Sequence, residues 1–308
     1  MPLTRRHLLA GAGAGLLLPD MARAAVTEAP KLIAEDYALA RQRFRTNLVR
    51  KGPAPDEPQP LAPPHGARRL EYKSGPLNLA AWISDNADRA IPLSTGSLST
   101  GSLSTGSRPA VLVLHGGNAL WQGHWELARP YVEAGYVAMM PALRAENGLP
   151  GYFSGFYDET ADVLAAAQVL RDQPGVDPAR LHLAGHSVGG TLTMLATMAT
   201  PMFRAAAALS GNPDARAFFR HYPEDIRFDA AEPGEFDMRS ALCFATSFKC
   251  PLLMLHGSEE TRSEAALRLT AERASAAGLT VRHDIVKGGH TSAIPAESAE
   301  ALRFFASV

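Results

Sequence analysis

From Pro109 onward, short apolar runs alternate with segments of helical periodicity, and this alternation constrains the fold more than any other feature of the chain. Strands that alternate with helices indicate βαβ units and a mostly parallel, buried sheet. The spacing predicts strands over 110–115, 136–141, 180–184, 204–210, 251–256 and 280–286, and helices near 124–134, 157–172, 188–199, 262–277 and 296–306. We therefore expect an α/β fold with helices on both faces of the sheet.

Two further strand-like segments precede this region, at 68–74 and 78–84. Gly75 and Pro76 lie between them, and a Gly-Pro pair between two strand-like runs predicts a hairpin. These runs are expected to supply the first two strands of the sheet. The α/β domain is accordingly predicted to span residues 68–308.

Residues 25–67 are predicted to form an accessory N-terminal helix followed by a linker. Apolar residues spaced among charges indicate the helix within 27–50. Six prolines between positions 53 and 64 indicate the linker, because proline at this density prevents both helix formation and sheet pairing.

Two segments inside the predicted domain differ from the rest. Residues 94–107 repeat the pentapeptide STGSL, and such small polar residues cannot bury a core, so a low-complexity surface loop is expected. Residues 211–250 are longer than an ordinary connection and contain several aromatic residues, among them Phe218, Phe219, Tyr222, Phe228 and Phe236. This segment is predicted to form a small cap over the functional site.

The first 24 residues are typical of an export signal. Arg5 and Arg6 precede an apolar stretch from Leu8 to Leu18, and Ala22-Arg23-Ala24 fits an A-x-A cleavage site. We expect the twin-arginine export machinery to be a partner and the mature protein to be periplasmic or secreted. The apolar stretch is too short to span a bilayer. The predicted cleavage point has no cysteine that could carry a lipid. We therefore expect no stable membrane anchor.

The charge balance narrows the class of partner. The chain has 30 basic and 31 acidic residues, which gives a formal net charge of −1. Nucleic-acid binding is not expected, because it normally requires a strong basic surface. A small or neutral substrate, such as a small-molecule ester or a short peptide, fits this balance.

The motif Gly185-His186-Ser187-Val188-Gly189-Gly190 follows an apolar strand and opens an apolar helix. A G-x-S-x-G sequence in this context is typical of a nucleophile elbow, in which a serine lies on a tight and strained turn. Glycine is needed on either side because a side chain there would clash with the adjacent strand or helix. Ser187 is the predicted nucleophile.

A serine hydroxyl is a poor nucleophile near neutral pH, so it requires a general base and an orienting acid. His290 follows the strand at 280–286 and precedes the last helix, which makes it the predicted base. Three carboxylates are candidates for the acid: Glu260, three residues after His256-Gly257, its neighbour Glu259, and Asp214 on the loop after the preceding strand. Position and chain order favour Glu260.

The oxyanion of a tetrahedral intermediate needs backbone N–H donors. His115-Gly116-Gly117-Asn118 follows the strand AVLVL, so the N–H of Gly117 or Asn118 is predicted to act together with that of Val188. The sequence contains neither an H-E-x-x-H motif nor a cysteine–histidine cluster, and no G-x-G-x-x-G follows a strand. We therefore expect no metal and no cofactor.

The motifs HGGN, GHSVGG, HGSEE and GGH occur in this order, and residues 68–308 resemble the α/β-hydrolase superfamily. The similarity is greatest to its dienelactone-hydrolase-like and prolyl-oligopeptidase-like branches, and VDPARLHLAGHSVGG at 176–190 resembles the peptidase branch. Dienelactone hydrolases have a cysteine where this chain has Ser187. The resemblance implies an eight-stranded sheet and cleavage of esters or peptides.

The expected function is hydrolysis of a carboxylic ester through an acyl-serine intermediate. The fold alone does not name the substrate. The alternative is a small serine peptidase or aminopeptidase of prolyl-oligopeptidase type. A non-catalytic binding protein on the same fold is a further possibility, against which the complete set of triad residues argues.

Overall fold

Eight strands form one sheet in the part of the chain that the computed structural model describes, residues 30–88 and 107–308. The strands are β1 (Ala67–Ser74), β2 (Leu77–Ser84), β3 (Arg108–Leu114), β4 (Val137–Pro141), β5 (Val176–His186), β6 (Ala205–Leu209), β7 (Leu252–Gly257) and β8 (Val281–Val286). Their order is β1-β2-β4-β3-β5-β6-β7-β8. Neighbours from β4 to β8 pair in parallel, whereas β2 runs antiparallel to β1 and β4. The predicted mostly parallel α/β sheet is confirmed.

The α-helices of the same ranges are α1 (Tyr37–Arg43), α2 (Arg129–Glu133), α3 (Tyr157–Arg171), α4 (Val188–Ala199), α5 (Ala215–His221), α6 (Pro233–Asp237), α7 (Glu264–Ala276) and α8 (Ile294–Ser307). Helices α3, α4, α7 and α8 lie where the periodicity predicts them. The single helix predicted over 124–134 is instead a 3₁₀ helix, Gln122–Leu127, followed by α2. Pro130 lies in the first turn of α2, where the missing N–H of proline favours a helix start over a continuation.

The sheet has a hydrophobic core on each face. Successive residues of a strand point to opposite faces, so Leu112 and Leu114 of β3 belong to one core, whereas Val111 and Val113 belong to the other. Buried residues of α1, α3, α4 and α7 complete the first core, and those of α2 and α8 complete the second. This arrangement covers both faces, as a parallel sheet requires.

The N-terminal segment belongs to the domain, which corrects the predicted boundary at residue 68. Residues Leu32–Val308 form one compact unit. Tyr37 is fully buried, its N–H donates to Ser247 Oγ at 3.0 Å, and its hydroxyl donates to the Met238 carbonyl at 2.9 Å. The helix is also shorter than predicted, because Asp36 caps its start and Phe44 is already extended. An aromatic residue buried in this way anchors the segment to the core.

The proline-rich segment, residues 53–64, has neither helix nor strand, as predicted, yet it lies against the domain. The Ala54 N–H donates to the Ala145 carbonyl at 3.0 Å, and Asn147 Nδ2 donates to the Gln59 carbonyl at 2.7 Å. Trp82 Nε1 donates to the Leu61 carbonyl at 3.3 Å. These contacts fix the segment along one side of the domain instead of leaving it as a free linker.

Residues 211–250, here called the aromatic segment, contain α5, α6 and the 3₁₀ helices Pro223–Asp225 and Ala241–Ser247. Phe219 and Phe228 are buried, with their ring centroids 5.3 Å apart in an edge-to-face arrangement. Much of the segment therefore serves as core. The predicted cap is reduced to α5, which lies beside the site described below.

The predicted signal, residues 1–24, and the STGSL repeat up to residue 106 lie outside the described residues. Among the helices that are described, none combines the length and apolar character needed to cross a membrane.

Candidate active site

Ser187 lies on the sharp turn between β5 and α4, with φ 58° and ψ −118°. A positive φ is strained for a residue other than glycine, and such strain is common at functional sites. The neighbouring glycines allow the turn: a Cβ on Gly185 would lie 2.3 Å from the Gly189 carbonyl oxygen, and one on Gly189 would lie 2.3 Å from that of Leu114. The predicted elbow geometry is therefore present.

His290 lies on the loop between β8 and α8 and contacts the serine directly, with Nε2 2.9 Å from Ser187 Oγ. The loop is held from the elbow side by His186, whose Nε2 lies 2.8 Å from the His290 carbonyl oxygen. Burial lowers the pKa of His186 to about 4, so this ring is neutral near pH 7. Because a carbonyl oxygen can only accept, His186 must carry its proton on Nε2 and donate it to His290.

Glu260 is the carboxylate that contacts the histidine, with Oε1 2.5 Å from His290 Nδ1. Its other oxygen accepts from the Gly257 N–H at 2.9 Å and from Ser210 Oγ at 2.5 Å. Burial raises the pKa of Glu260, but hydrogen bonds from His290, Ser210 and Gly257 outweigh it and bring the pKa down to about 2. The hydrogen bond to Glu260 in turn raises the pKa of His290. An ionised Glu260 fixes the histidine tautomer that has its proton on Nδ1 and a free lone pair on Nε2.

The two alternative acids lie elsewhere. Asp214 caps the start of α5 and accepts from the N–H groups of Arg216 and Ala217. Glu259 is exposed, and its N–H donates to the Gly288 carbonyl at 3.0 Å. The structure thus brings Ser187, His290 and Glu260 together, and neither alternative is hydrogen-bonded to the histidine among the described residues.

Two of the three predicted oxyanion donors remain candidates. Val188 is the first residue of α4, so its N–H has no acceptor within the helix. Gly117 lines the cavity beside Ser187 and has φ +68°. The prediction for Asn118 is wrong in this conformation, because its N–H is already donated to Asp56 Oδ2 at 2.6 Å.

A buried pair supports the loop that contains Gly117. His115 Nε2 lies 3.1 Å from Glu146 Oε2, which also accepts from the Leu143 N–H at 2.9 Å. Burial lowers the pKa of His115, but Glu146 outweighs it and raises the pKa above its usual value. Sequence reasoning missed Glu146, since no motif precedes or follows it.

Comparisons with known proteins agree with this geometry. The model of the prolyl oligopeptidase family matches residues 154–306, which include Ser187, Glu260 and His290. This match covers just under half of the chain. The chain is 30% identical over 174 residues to the uncharacterized peptidase YuxL of Bacillus subtilis (strain 168), a match that covers 50% of this chain and 26% of that protein.

Several solved structures share the fold of this chain. Acylaminoacyl peptidase from Pyrococcus horikoshii has a TM-score of 0.59 at 20% identity, covering 78% of this chain and 40% of that one. An esterase of Pyrococcus furiosus has a TM-score of 0.59 at 18% identity, covering 78% and 91%. The chain therefore spans well under half the length of these peptidase relatives and most of the length of the esterase.

Two cavities meet at Ser187 and His290. The first, of about 1000 Å³, lies between the proline-rich segment, which contributes Asp56 and Glu57, and the loop that contains Gly117. Trp121 and His124 also line it, whereas Trp125 is buried in the core. The second, of about 720 Å³, is lined by residues of α5 and by the loop at 259–263.

This arrangement has the parts needed for acyl transfer. The Ser187 hydroxyl faces an acceptor nitrogen on His290, that ring is oriented by Glu260, and the backbone N–H groups of Val188 and Gly117 belong to residues beside the serine. A serine hydroxyl in such a constellation is activated for attack on a carbonyl carbon. The triad is that of a serine hydrolase.

Proposed function

We propose that this chain is a serine peptidase that cleaves short peptides through an acyl-serine intermediate. The observation that carries this proposal is the pair of cavities on either side of Ser187. A peptide continues on both sides of the scissile bond and needs space for both parts, whereas an ester of a small alcohol needs space on one side. The match of residues 154–306 to the prolyl oligopeptidase family points to the same substrate class.

The proposed reaction follows from the hydrogen bonds of the site. Ser187 Oγ attacks the scissile carbonyl carbon while His290 Nε2 takes the hydroxyl proton. The N–H groups of Val188 and Gly117 stabilise the oxyanion, and the protonated His290 then gives its proton to the leaving amine as the C–N bond breaks. Water, deprotonated by His290, hydrolyses the acyl-serine and releases the acid.

Turnover of a matched substrate pair tests the proposal. The same acyl group is offered as a p-nitrophenyl ester and as a p-nitroanilide, and short peptides are followed by mass spectrometry, with Ser187→Ala in parallel. We expect the native chain to cleave the anilide and the peptides and Ser187→Ala to cleave neither. Amide turnover no faster than that of Ser187→Ala would contradict the proposal.

Ester hydrolysis is the second candidate function, and the specific observation in its favour is the fold shared with an esterase of which this chain covers 91%. Esters have a better leaving group than amides and depend less on protonation by His290. Rapid turnover of the ester without turnover of the anilide would therefore assign this function and exclude the first.

We further propose that the chain is exported by the twin-arginine route and acts in the periplasm or outside the cell, on the pattern of Arg5, Arg6 and Ala22-Arg23-Ala24. Replacement of Arg5 and Arg6 by lysine should block export. N-terminal sequencing of the exported protein should begin at Ala25, and a start at Met1 would contradict the proposal.

A further inference from the structure

Behind Glu260, a serine links the triad to a second carboxyl group. Ser210 follows β6 with φ 49°, in the left-handed region, and its N–H donates to the Leu255 carbonyl at 2.7 Å. Its Oγ lies 2.5 Å from Glu260 Oε2 and 2.9 Å from Glu297 Oε1. Glu297, on α8, is fully buried.

The hydroxyl of Ser210 has one hydrogen, so it can donate to one carboxylate at a time. If both carboxylates were ionised, one of them would face the lone pairs of Ser210 Oγ without a hydrogen between them. This conflict disappears if one carboxyl is protonated: the acid then donates to Ser210 Oγ, and Ser210 donates to the other carboxylate. The two distances therefore indicate a shared proton chain.

Glu297 is the carboxyl that holds the proton. Its Oε2 is buried and has no hydrogen-bond partner among the described residues, which an ionised carboxylate would tolerate poorly. Glu260, in contrast, accepts from His290, Ser210 and Gly257. The carboxyl groups of Glu260 and Glu297 thus differ in the number of hydrogen-bond donors that they face.

The charges around Glu297 agree with this assignment. Burial, together with the negative charge of Glu260, raises the pKa of Glu297 to about 7, although Ser210 and His290 lower it. Tyr131 approaches from α2 as a neutral phenol, since burial raises its pKa above the usual value. No lysine or arginine is among the groups that shift the pKa of Glu297 within the described part of the chain.

We propose that Glu297 is a positioning residue of the triad: its protonated carboxyl donates to Ser210 Oγ, and Ser210 donates to Glu260 Oε2. The chain of two hydrogen bonds fixes the carboxyl plane of Glu260, so that Oε1 faces His290 Nδ1. Ionisation of Glu297 removes its donor and frees Ser210 to donate to Glu297 instead of Glu260. This role presupposes the proposed hydrolysis at Ser187, because it acts through His290.

The test compares Glu297→Gln, Glu297→Leu and Ser210→Ala with Glu300→Gln. Glutamine at position 297 keeps a neutral donor for Ser210, whereas leucine keeps the volume of the side chain without a donor. Glu300 is the control, because it lies on the same helix but pairs with the exposed Arg303. The readouts are the thermal midpoint, the rate of fluorophosphonate labelling of Ser187, and the pH profile of kcat/KM.

We expect Glu297→Leu and Ser210→Ala to lower kcat about 10-fold, the effect of one lost hydrogen bond, and Glu297→Gln to lose much less. The native profile should fall as pH rises through the Glu297 pKa near 7. This fall should be absent in Glu297→Gln and Ser210→Ala and present in Glu300→Gln.

Two results would overturn the inference. The first is a loss of kcat in Glu297→Gln as large as that in Glu297→Leu. The second is a pH profile of kcat/KM that falls at the same high pH in all four variants. Both results can be distinguished from failure of the proposed function. If the proposed function is wrong, fluorophosphonate does not label Ser187 even in the native chain.

Discussion

His186 donates a hydrogen bond from Nε2 to the backbone carbonyl of His290 at 2.8 Å, so the residue before the nucleophile holds the loop of the general base. The two rings also pack against each other, with centroids 4.7 Å apart. The elbow and the histidine loop are therefore positioned as one unit.

Removal of this hydrogen bond should loosen the base. We expect His186→Leu to lower kcat about 10-fold with a smaller change in KM, because the lost interaction orients His290 and does not bind substrate. His186→Gln, which retains a donor, should recover part of the loss. Steady-state kinetics of both variants provide the measurement, and equal activity of His186→Leu and the native chain would contradict this role.

The pH dependence of the reaction should report the His290–Glu260 pair. His290 must be neutral to accept the serine proton, and its pKa is raised by Glu260, so kcat/KM should fall as pH falls through that raised value. Glu260, with a pKa of about 2, stays ionised across this range.

In Glu260→Gln the negative charge is lost, so the acid limb should move to lower pH while kcat falls by up to about 10⁴. Glu259→Gln, its exposed neighbour, is the matched control and should leave the limb in place. An acid limb at the same pH in the native chain and Glu260→Gln would show that another group titrates.

The charge of the larger cavity should bias substrate choice. Asp56, Glu57 and Glu126 line it, and no lysine or arginine does so within the described residues. We expect substrates with a free amino group to react faster than their succinylated forms. Asp56→Asn should reduce this preference about 5-fold, as for one exposed ion pair.

Asp172→Asn is a suitable control for Asp56→Asn, because Asp172 lies before the start of β5, whereas Ser187 follows the end of this strand. The measurement is the ratio of kcat/KM for the two substrate forms. A ratio that is the same for Asp56→Asn, Asp172→Asn and the native chain would exclude Asp56 from substrate selection.

A buried arginine joins three parts of the chain. Arg239 in the aromatic segment is 0% exposed, pairs with Glu235 at 2.5 Å, and donates to Thr46 Oγ1 at 2.7 Å and to the Ser154 carbonyl at 2.7 Å. Arg239→Ala leaves a buried carboxylate without its partner and should lower the free energy of unfolding by about 3–5 kcal/mol.

The exposed pair of Arg268 and Glu272, at 3.1 Å, is the matched control for Arg239. Arg268→Ala should cost about 0–1 kcal/mol. Urea denaturation of both variants gives the comparison, and similar midpoints would mean that the buried network contributes little.

The sequence predicted the parts of this molecule whose signals are local. The elbow was predictable because glycines on both sides of Ser187 are required by close backbone contacts. The strands β3 to β7 were predictable from their buried apolar runs, whereas in β8 only Val281 is buried. The order of serine, acid and histidine then limited the acid to a few loop positions.

The remaining features depend on contacts between distant parts of the chain. Asp56 lies in a proline-rich segment that has no periodicity, and nothing local indicates that it reaches the Asn118 N–H. Glu297 did leave a signal, since it shares an apolar helical face with Ala301 and Phe304 at i, i+4 and i+7 spacing. A carboxyl at a core-facing position of an amphipathic helix indicates a buried hydrogen-bond partner.

The central claim is that Ser187 and His290 act as one unit. Steady-state turnover of the single and double alanine variants tests it most directly, with fluorophosphonate labelling to locate the nucleophile. We predict that Ser187→Ala and His290→Ala each lower kcat by about 10⁴ to 10⁶, that the double variant loses little more, and that the adduct lies on Ser187. Multiplicative losses in the double variant, or rapid substrate turnover by Ser187→Ala, would contradict the account.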